Sequence, residues 1–269
     1  MWPKRLLKNV PESDDIYIVN SETRKLWDTN SGWWFDNVEN GNFSEYSKII
    51  FPLSQELFAH KKLILDLGTG SGILAKRIMD KSVGKVIGLD ISIRQLEKAA
   101  KNNSGPTYLQ SDSRVLPFKS DVFDGVLSSM VLEHVVNLQD SVSEIARILQ
   151  GGGLFVAIMN HPVFQTPGSG PVESDNLDSD GTGWRVGNYL TESSNIEEIS
   201  EGIYVPYEHR TISTYLNTFL EHGFLLQRVL EPALIDQNGA KETAMANDRI
   251  PRLLIVILEK PVFGRNSDT

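Results

Sequence analysis

Short apolar runs and amphipathic stretches alternate along this chain from about residue 62 to its end. Leu63-Ile64-Leu65-Asp66-Leu67 is an apolar run stopped by glycines and predicts a buried strand. Ile73, Leu74, Ile78 and Met79 then mark a short helix, Lys85 to Asp90 a second strand, and Ser92 to Lys101 a helix with Leu96, Ala99 and Ala100 inward. Thr107 to Gln110 reads as a third strand and Phe123 to Met130 as a fourth. Val142, Ile145, Ala146 and Leu149 fall at helical spacing, so a helix is expected over Asn137 to Gln150, stopped by Gly151 to Gly153. Gly153 to Met159 follows as a fifth strand. Ile212, Tyr215, Leu216, Phe219 and Leu220 predict another amphipathic helix, ended by Gly223. Phe224 to Val229 and Leu253 to Leu258 complete seven strands.

Strands that are apolar on both faces and alternate with helices imply a mostly parallel sheet covered on both sides. Two segments stand outside the alternation. Residues 1–60 read as a helical, aromatic cap (Trp27, Trp33, Trp34, Phe35, Phe43, Tyr46), and residues 161–210 as an insertion after the fifth strand. The core is therefore divided between residues 61–160 and 211–269.

Composition narrows the chemistry. The 269 residues contain no cysteine, which removes disulfides, thiolate metal sites and cysteine nucleophiles. No metal-ligand spacing is found. The longest late apolar run is too short to span a bilayer, and residues 1–15 carry no apolar leader with a small-residue cleavage site. A soluble, cytoplasmic protein without membrane attachment is expected. Of the net charge of −9, residues 161–208 hold −8, with nine carboxylates against Arg185. No basic stripe offers itself to nucleic acid. The acidic segment suits a mobile solvated lid or a cationic acceptor.

The candidate chemistry sits at the strand ends. Asp66-Leu67-Gly68-Thr69-Gly70-Ser71-Gly72 lies where the first strand turns into the first helix, a place where glycines let a ligand approach the backbone. A dinucleotide fingerprint would need glycine where Ile73 stands, and Asp66 would repel a pyrophosphate. Asp90 ends the second strand, 20 residues after Gly70, and can accept both hydroxyls of a ribose. Asp112 with Ser113 ends the third. Three carboxylates facing one crevice suit an amino acid joined through a sulfonium to adenosine.

Leu63 to Gly72, Gly88 to Ser92, Gln110 to Ser113 with Leu116 to Phe118, Phe123 to Val135 and Glu144 to Phe155 together resemble the successive motifs of class I S-adenosylmethionine-dependent methyltransferases. The small-molecule "type 11" branch is the nearest likeness. Gln150-Gly151 departs from that branch's usual proline-glycine pair. The resemblance implies a Rossmann-like three-layer α/β/α sandwich and S-adenosylmethionine as cofactor. It implies that Gly68, Thr69 and Gly70 hold the methionine moiety with Asp66 behind them, and that Asp90 takes the ribose with Ile91 against the adenine. Asp112 would accept from the adenine amine, the Ser113 N–H would meet a ring nitrogen, and Met130 would line the sulfonium.

Methyl transfer is an in-line displacement, so the protein must align the acceptor, exclude water and, for some acceptors, remove a proton. His209, His161 and His134 are the candidate bases. Trp33, Trp34 and Phe35 are candidates for a flap, and Trp184, Tyr189, Tyr204 and Tyr207 for acceptor-pocket walls. The expected activity is methylation of an O, N or C atom of a small organic molecule. The alternative is a non-catalytic, cofactor-binding or scaffold subunit with the same fold; a nicotinamide oxidoreductase is opposed by Ile73 and Asp66.

Overall fold

The computed structural model describes residues 14–39, 41–173, 182–233 and 250–262. Helix α1 (Asp14–Glu39) is followed by a π-helical turn (Tyr46–Ile50) that runs into α2 (Phe51–Phe58). Then come β1 (Leu63–Leu67), α3 (Ile73–Met79), β2 (Lys85–Asp90), α4 (Ile93–Asn102), β3 (Thr107–Gln110) and β4 (Phe123–Ser129). A 3-10 turn (Leu132–His134) leads to α5 (Leu138–Ile148), β5 (Leu149–Asn160) and the short α6 (Pro162–Gln165). The insertion supplies β6 (Gly170–Glu173), β7 (Thr182–Arg185), β8 (Ser193–Ser200) and β9 (Ile203–His209). The chain continues with α7 (Ile212–Glu221), β10 (Leu225–Leu230) and β11 (Leu253–Glu259).

Seven strands form one sheet in the order β10-β11-β5-β4-β1-β2-β3. β1 pairs in parallel with β2 and β4, and β4 with β5, so each of these connections needs a crossover that a helix provides. Only β11 is reversed, antiparallel to both β5 and β10. Because side chains alternate across a strand, each strand feeds two cores. Phe155, Ala157 and Met159 of β5 join Val142 and Ile145 of α5 and Phe219 of α7 on one face. Val156 and Ile158 join Phe58 of α2 and Leu74 and Ile78 of α3 on the other. Burial on both faces explains why these strands read as unbroken apolar runs.

Ser92, Asn137 and Thr211 cap α4, α5 and α7, each side chain accepting from the backbone N–H three residues on. Several expected boundaries moved: the fifth strand, expected from Gly153 to Met159, runs from Leu149 to Asn160 and takes in the three glycines. The helix expected to reach Gln150 stops at Ile148, because Leu149 turns extended and pairs with Phe123. β4 ends at Ser129, because Met130 takes a left-handed φ of +56°. The insertion is not an irregular lid in its described parts. It folds as two hairpins, β6–β7 and β8–β9; its carboxylates Asp175, Asp178 and Asp180 lie outside the described residues. No helix among the described residues is long and apolar enough to cross a membrane.

Candidate active site

At the carboxyl ends of β1, β2 and β4 the structure opens a cleft that communicates with solvent. Its floor is the turn after β1. Gly68 there has a φ of +73°, and a Cβ would run into the Val131 side chain, so only glycine fits. The Gly68 and Thr69 N–H groups donate to the Leu89 carbonyl at 2.7 and 2.9 Å, fastening the turn to β2. Gly70 presents open space and donates its N–H to Asp90 Oδ2 at 2.8 Å.

The carboxylates face this floor from buried positions. Asp66 accepts from the Thr69 hydroxyl at 2.6 Å. Burial pushes its carboxyl up to about 7; the Thr69 bond opposes that shift and the neighbouring Asp90 charge adds to it. Asp90 also accepts from the Ser92 N–H at 2.8 Å, and burial outweighs its backbone bonds to lift it to about 6. Asp112 is held by Arg114, whose Nη2 lies 3.0 Å from Oδ2. Asp66, Gly68, Thr69, Gly70, Asp90, Ile91, Asp112, Ser113 and Met130 all line the one cleft.

Helix α1 roofs it. Asp28 Oδ1 accepts from Ser92 Oγ at 2.6 Å, Lys98 Nζ donates to the Ser31 carbonyl at 3.0 Å, and Asn30 Nδ2 donates to the Tyr204 carbonyl at 2.5 Å. These bonds tie α1 to α4 on one side and to β9 on the other. Trp34 and Phe35 of the expected flap line the cleft, whereas Trp33 packs edge-on against Trp34 and lies off it. The expected acceptor walls do not reach the cleft lining: Trp184 stacks on Phe164, Tyr189 packs against His209, Tyr204 is exposed and Tyr207 is buried elsewhere.

The three histidines separate clearly. His134 lines the cleft, and its Nδ1 lies 2.6 Å from the Pro206 carbonyl. A carbonyl only accepts, so the proton is on Nδ1 and the lone pair on Nε2. His161 is off the cleft lining with both nitrogens engaged: Nδ1 accepts from the Val163 N–H and Nε2 donates to Glu231 at 2.8 Å. It caps α6, and burial lowers its pKa. His209, also off the lining, donates Nε2–H to the Tyr189 carbonyl at 2.8 Å.

Arg210 fixes the loop that carries His134. Buried, it donates to the carbonyls of Leu132, Val135 and Val136 at 3.1, 2.6 and 2.9 Å. Sequence reasoning passed over Arg210 and the cleft-wall Gln95, and named Trp27 and Tyr46 as cap aromatics without placing them in the cleft wall. Trp27 and Trp34 are seven residues apart, a helical spacing that signals one face; the other three carry no local signal. Among the described residues, no group of three or more His, Asp or Glu could hold a metal ion.

A sulfonium-bearing nucleoside fits these donors and acceptors. Buried carboxylates would meet its cationic groups and hydroxyls, and Gln95 Oε1 and Ser129 Oγ in the cleft wall are buried without partners. The family described as "Methyltransferase domain", type 11, matches residues 65–157, the segment that builds this floor. A solved S-adenosylmethionine-dependent methyltransferase from Mesorhizobium loti superposes with a TM-score of 0.67 at 28% identity, covering 77% of this chain and 96% of that one. Residues 65–157 are a methyltransferase domain of the class I S-adenosylmethionine-dependent kind. Among curated relatives of this methyltransferase, a ubiquinone/menaquinone biosynthesis C-methyltransferase from Wigglesworthia glossinidia brevipalpis is 32% identical over 111 residues, 38% of this chain and 44% of that protein. The human mitochondrial arginine-hydroxylase NDUFAF5 is 33% identical over 97 residues, 36% of this chain and 28% of that protein. The chain thus spans less than half the length of these two relatives. Its cofactor is S-adenosylmethionine.

Proposed function

We propose that this methyltransferase methylates a small organic acceptor held between the aromatic face of α1 and the loop after β4. The observation that carries the reading is His134: it sits on the cleft wall four residues beyond Met130, with its proton committed to Pro206 and a lone pair left on Nε2. Bound S-adenosylmethionine supplies an electrophilic methyl group and leaves as S-adenosylhomocysteine. The protein's own work is then limited. Asp66, Gly70 and Asp90 hold the cofactor, Trp27 and Trp34 exclude water, and His134 Nε2 takes the proton that an O–H, N–H or C–H acceptor gives up.

The test is calorimetric titration with S-adenosylmethionine, S-adenosylhomocysteine and NAD on the full chain and on Asp90→Ala. Binding of both adenosyl ligands, lost in the variant and absent for NAD, supports the reading; no adenosyl binding by folded protein refutes it. A second reading draws support from the relative named as an arginine hydroxylase, which is similar over 97 residues under a different activity name. On that reading the chain binds the cofactor without transferring methyl. Formation of S-adenosylhomocysteine in acceptor screens separates the two.

A further inference from the structure

The cleft has two kinds of wall. Its charged residues, among those described, are Asp66, Asp90, Asp112 and Arg114, and all four stand at the carboxyl ends of β1, β2 and β3 on the cofactor floor. The other wall comes from α1, the π-helical turn and the loop after β4. It is built of Trp27, Trp34, Phe35, Tyr46, Val131 and Val135, with His134 among them, and it carries no carboxylate, lysine or arginine among the described residues. Its rings touch in succession. His134 meets Trp27 with ring centroids 5.0 Å apart, and Trp27 meets Trp34 at 5.9 Å. Phe43 continues the band, 5.9 Å from Trp34 and 6.4 Å from Tyr46.

What this wall receives follows from what it lacks. A charged group buried without a partner is costly. An ammonium would need a carboxylate here, and none of the described carboxylates of residues 161–210 lines the cleft. Aromatic faces do attract cations, but the cofactor's sulfonium already brings one into the cleft, and like charges at close range repel. A carboxylate would need a basic side chain, and Arg114 is held by Asp112 on the cofactor floor. An uncharged planar ring meets neither penalty and packs well against indole surfaces. His134 adds the one polar demand. Its Nδ1–H is on Pro206, and Nε2 is an acceptor with no partner among the described residues. A hydroxyl on the ring supplies the missing donor.

We infer that the methyl acceptor is an uncharged aromatic compound whose ring lies along Trp27 and Trp34 and whose hydroxyl donates to His134 Nε2. The inference deepens the methyl-transfer reading and rests on it for the cofactor; ring binding is measured on its own. The experiment is calorimetric titration of the full chain, with and without S-adenosylhomocysteine, using phenol, anisole, cyclohexanol, benzylamine and benzoate as probes. Phenol is expected to saturate, with benzylamine and benzoate at least about tenfold weaker and anisole and cyclohexanol at least about fivefold weaker. His134→Phe keeps a ring but removes the lone pair, so it should erase the preference for phenol over anisole while S-adenosylhomocysteine affinity stays within about threefold. Trp27→Leu should erase the preference for phenol over cyclohexanol. Should a variant fail to fold, the probe series on the parent chain decides. Benzylamine, benzoate or anisole binding as tightly as phenol, preferences untouched in the folded variants, or no phenol binding up to about 20 mM overturns the inference. Selective phenol binding without any S-adenosylhomocysteine binding leaves the aromatic site standing and removes the methyl-transfer reading; S-adenosylhomocysteine binding without phenol binding does the reverse.

Discussion

Asp66 and Asp90 make the cofactor site sensitive to pH. Burial lifts their carboxyls to about 7 and about 6 from ordinary values of 3.8. An acid raised on folding keeps its proton in the native state where the unfolded chain has lost it. Stability of the ligand-free protein should therefore fall as pH rises from about 4 to about 7 and level off above. A sulfonium favours the ionised carboxylates, so S-adenosylmethionine affinity should move the other way, rising through the same window. Calorimetry in two buffers of different ionisation enthalpy should show proton release near pH 6 and little near pH 8, and Asp66→Asn should flatten the profile. His134→Ala is expected to lower kcat by about 100-fold or more with cofactor affinity nearly unchanged, measured by S-adenosylhomocysteine release. The carboxylates were legible in the sequence because each ends a predicted strand, and strand ends are where such sheets bind ligands. The state of His134 was not, because the carbonyl that sets it belongs to Pro206, 72 residues away in the chain.

Elements with strong local signals were read closely. β1, α3, β2 and β3 match their expected limits, since glycine stops, an apolar period or a cap marks each end. The β8–β9 hairpin was missed because Ser193–Ser200 has neither an alternating apolar face nor a helical stripe; its pairing with β9 comes from the tertiary context. That hairpin nonetheless delivers the Pro206 carbonyl to His134 and leads directly into Arg210. Arg210→Lys keeps the charge but loses the planar fork that reaches three carbonyls at once. It should cost about 1–3 kcal/mol in urea unfolding and shift the His134 ring resonances in NMR spectra. Helix α1 is tied across the cleft by Asp28, Ser31 and Asn30, so Asp28→Ala should speed amide exchange in α1 more than in the sheet, as read by hydrogen–deuterium exchange.

At the scale of the whole molecule the two cores depend on α5 and α7 on one side and α2 and α3 on the other, with β5 feeding both. Phe219 is fully buried and meets Phe155 edge-on with ring centroids 5.6 Å apart. Phe219→Ala should cost about 3–5 kcal/mol in denaturant unfolding, with no direct effect on cleft residues. Sequence pattern supplied seven strands and two-sided burial but no strand order, because order is set by pairings between distant segments. The position of β11 is the clearest case. It is the last strand among the described residues, yet it lies inside the sheet, between β5 and β10. Assembly therefore cannot follow synthesis. While the ribosome is still making residues beyond β10, β5 carries an open edge of apolar residues, and β10 has no neighbour to pair with. The nascent protein must wait, half-paired and prone to stick to its neighbours, for one late segment to slide between a strand made long before it and one made just before it.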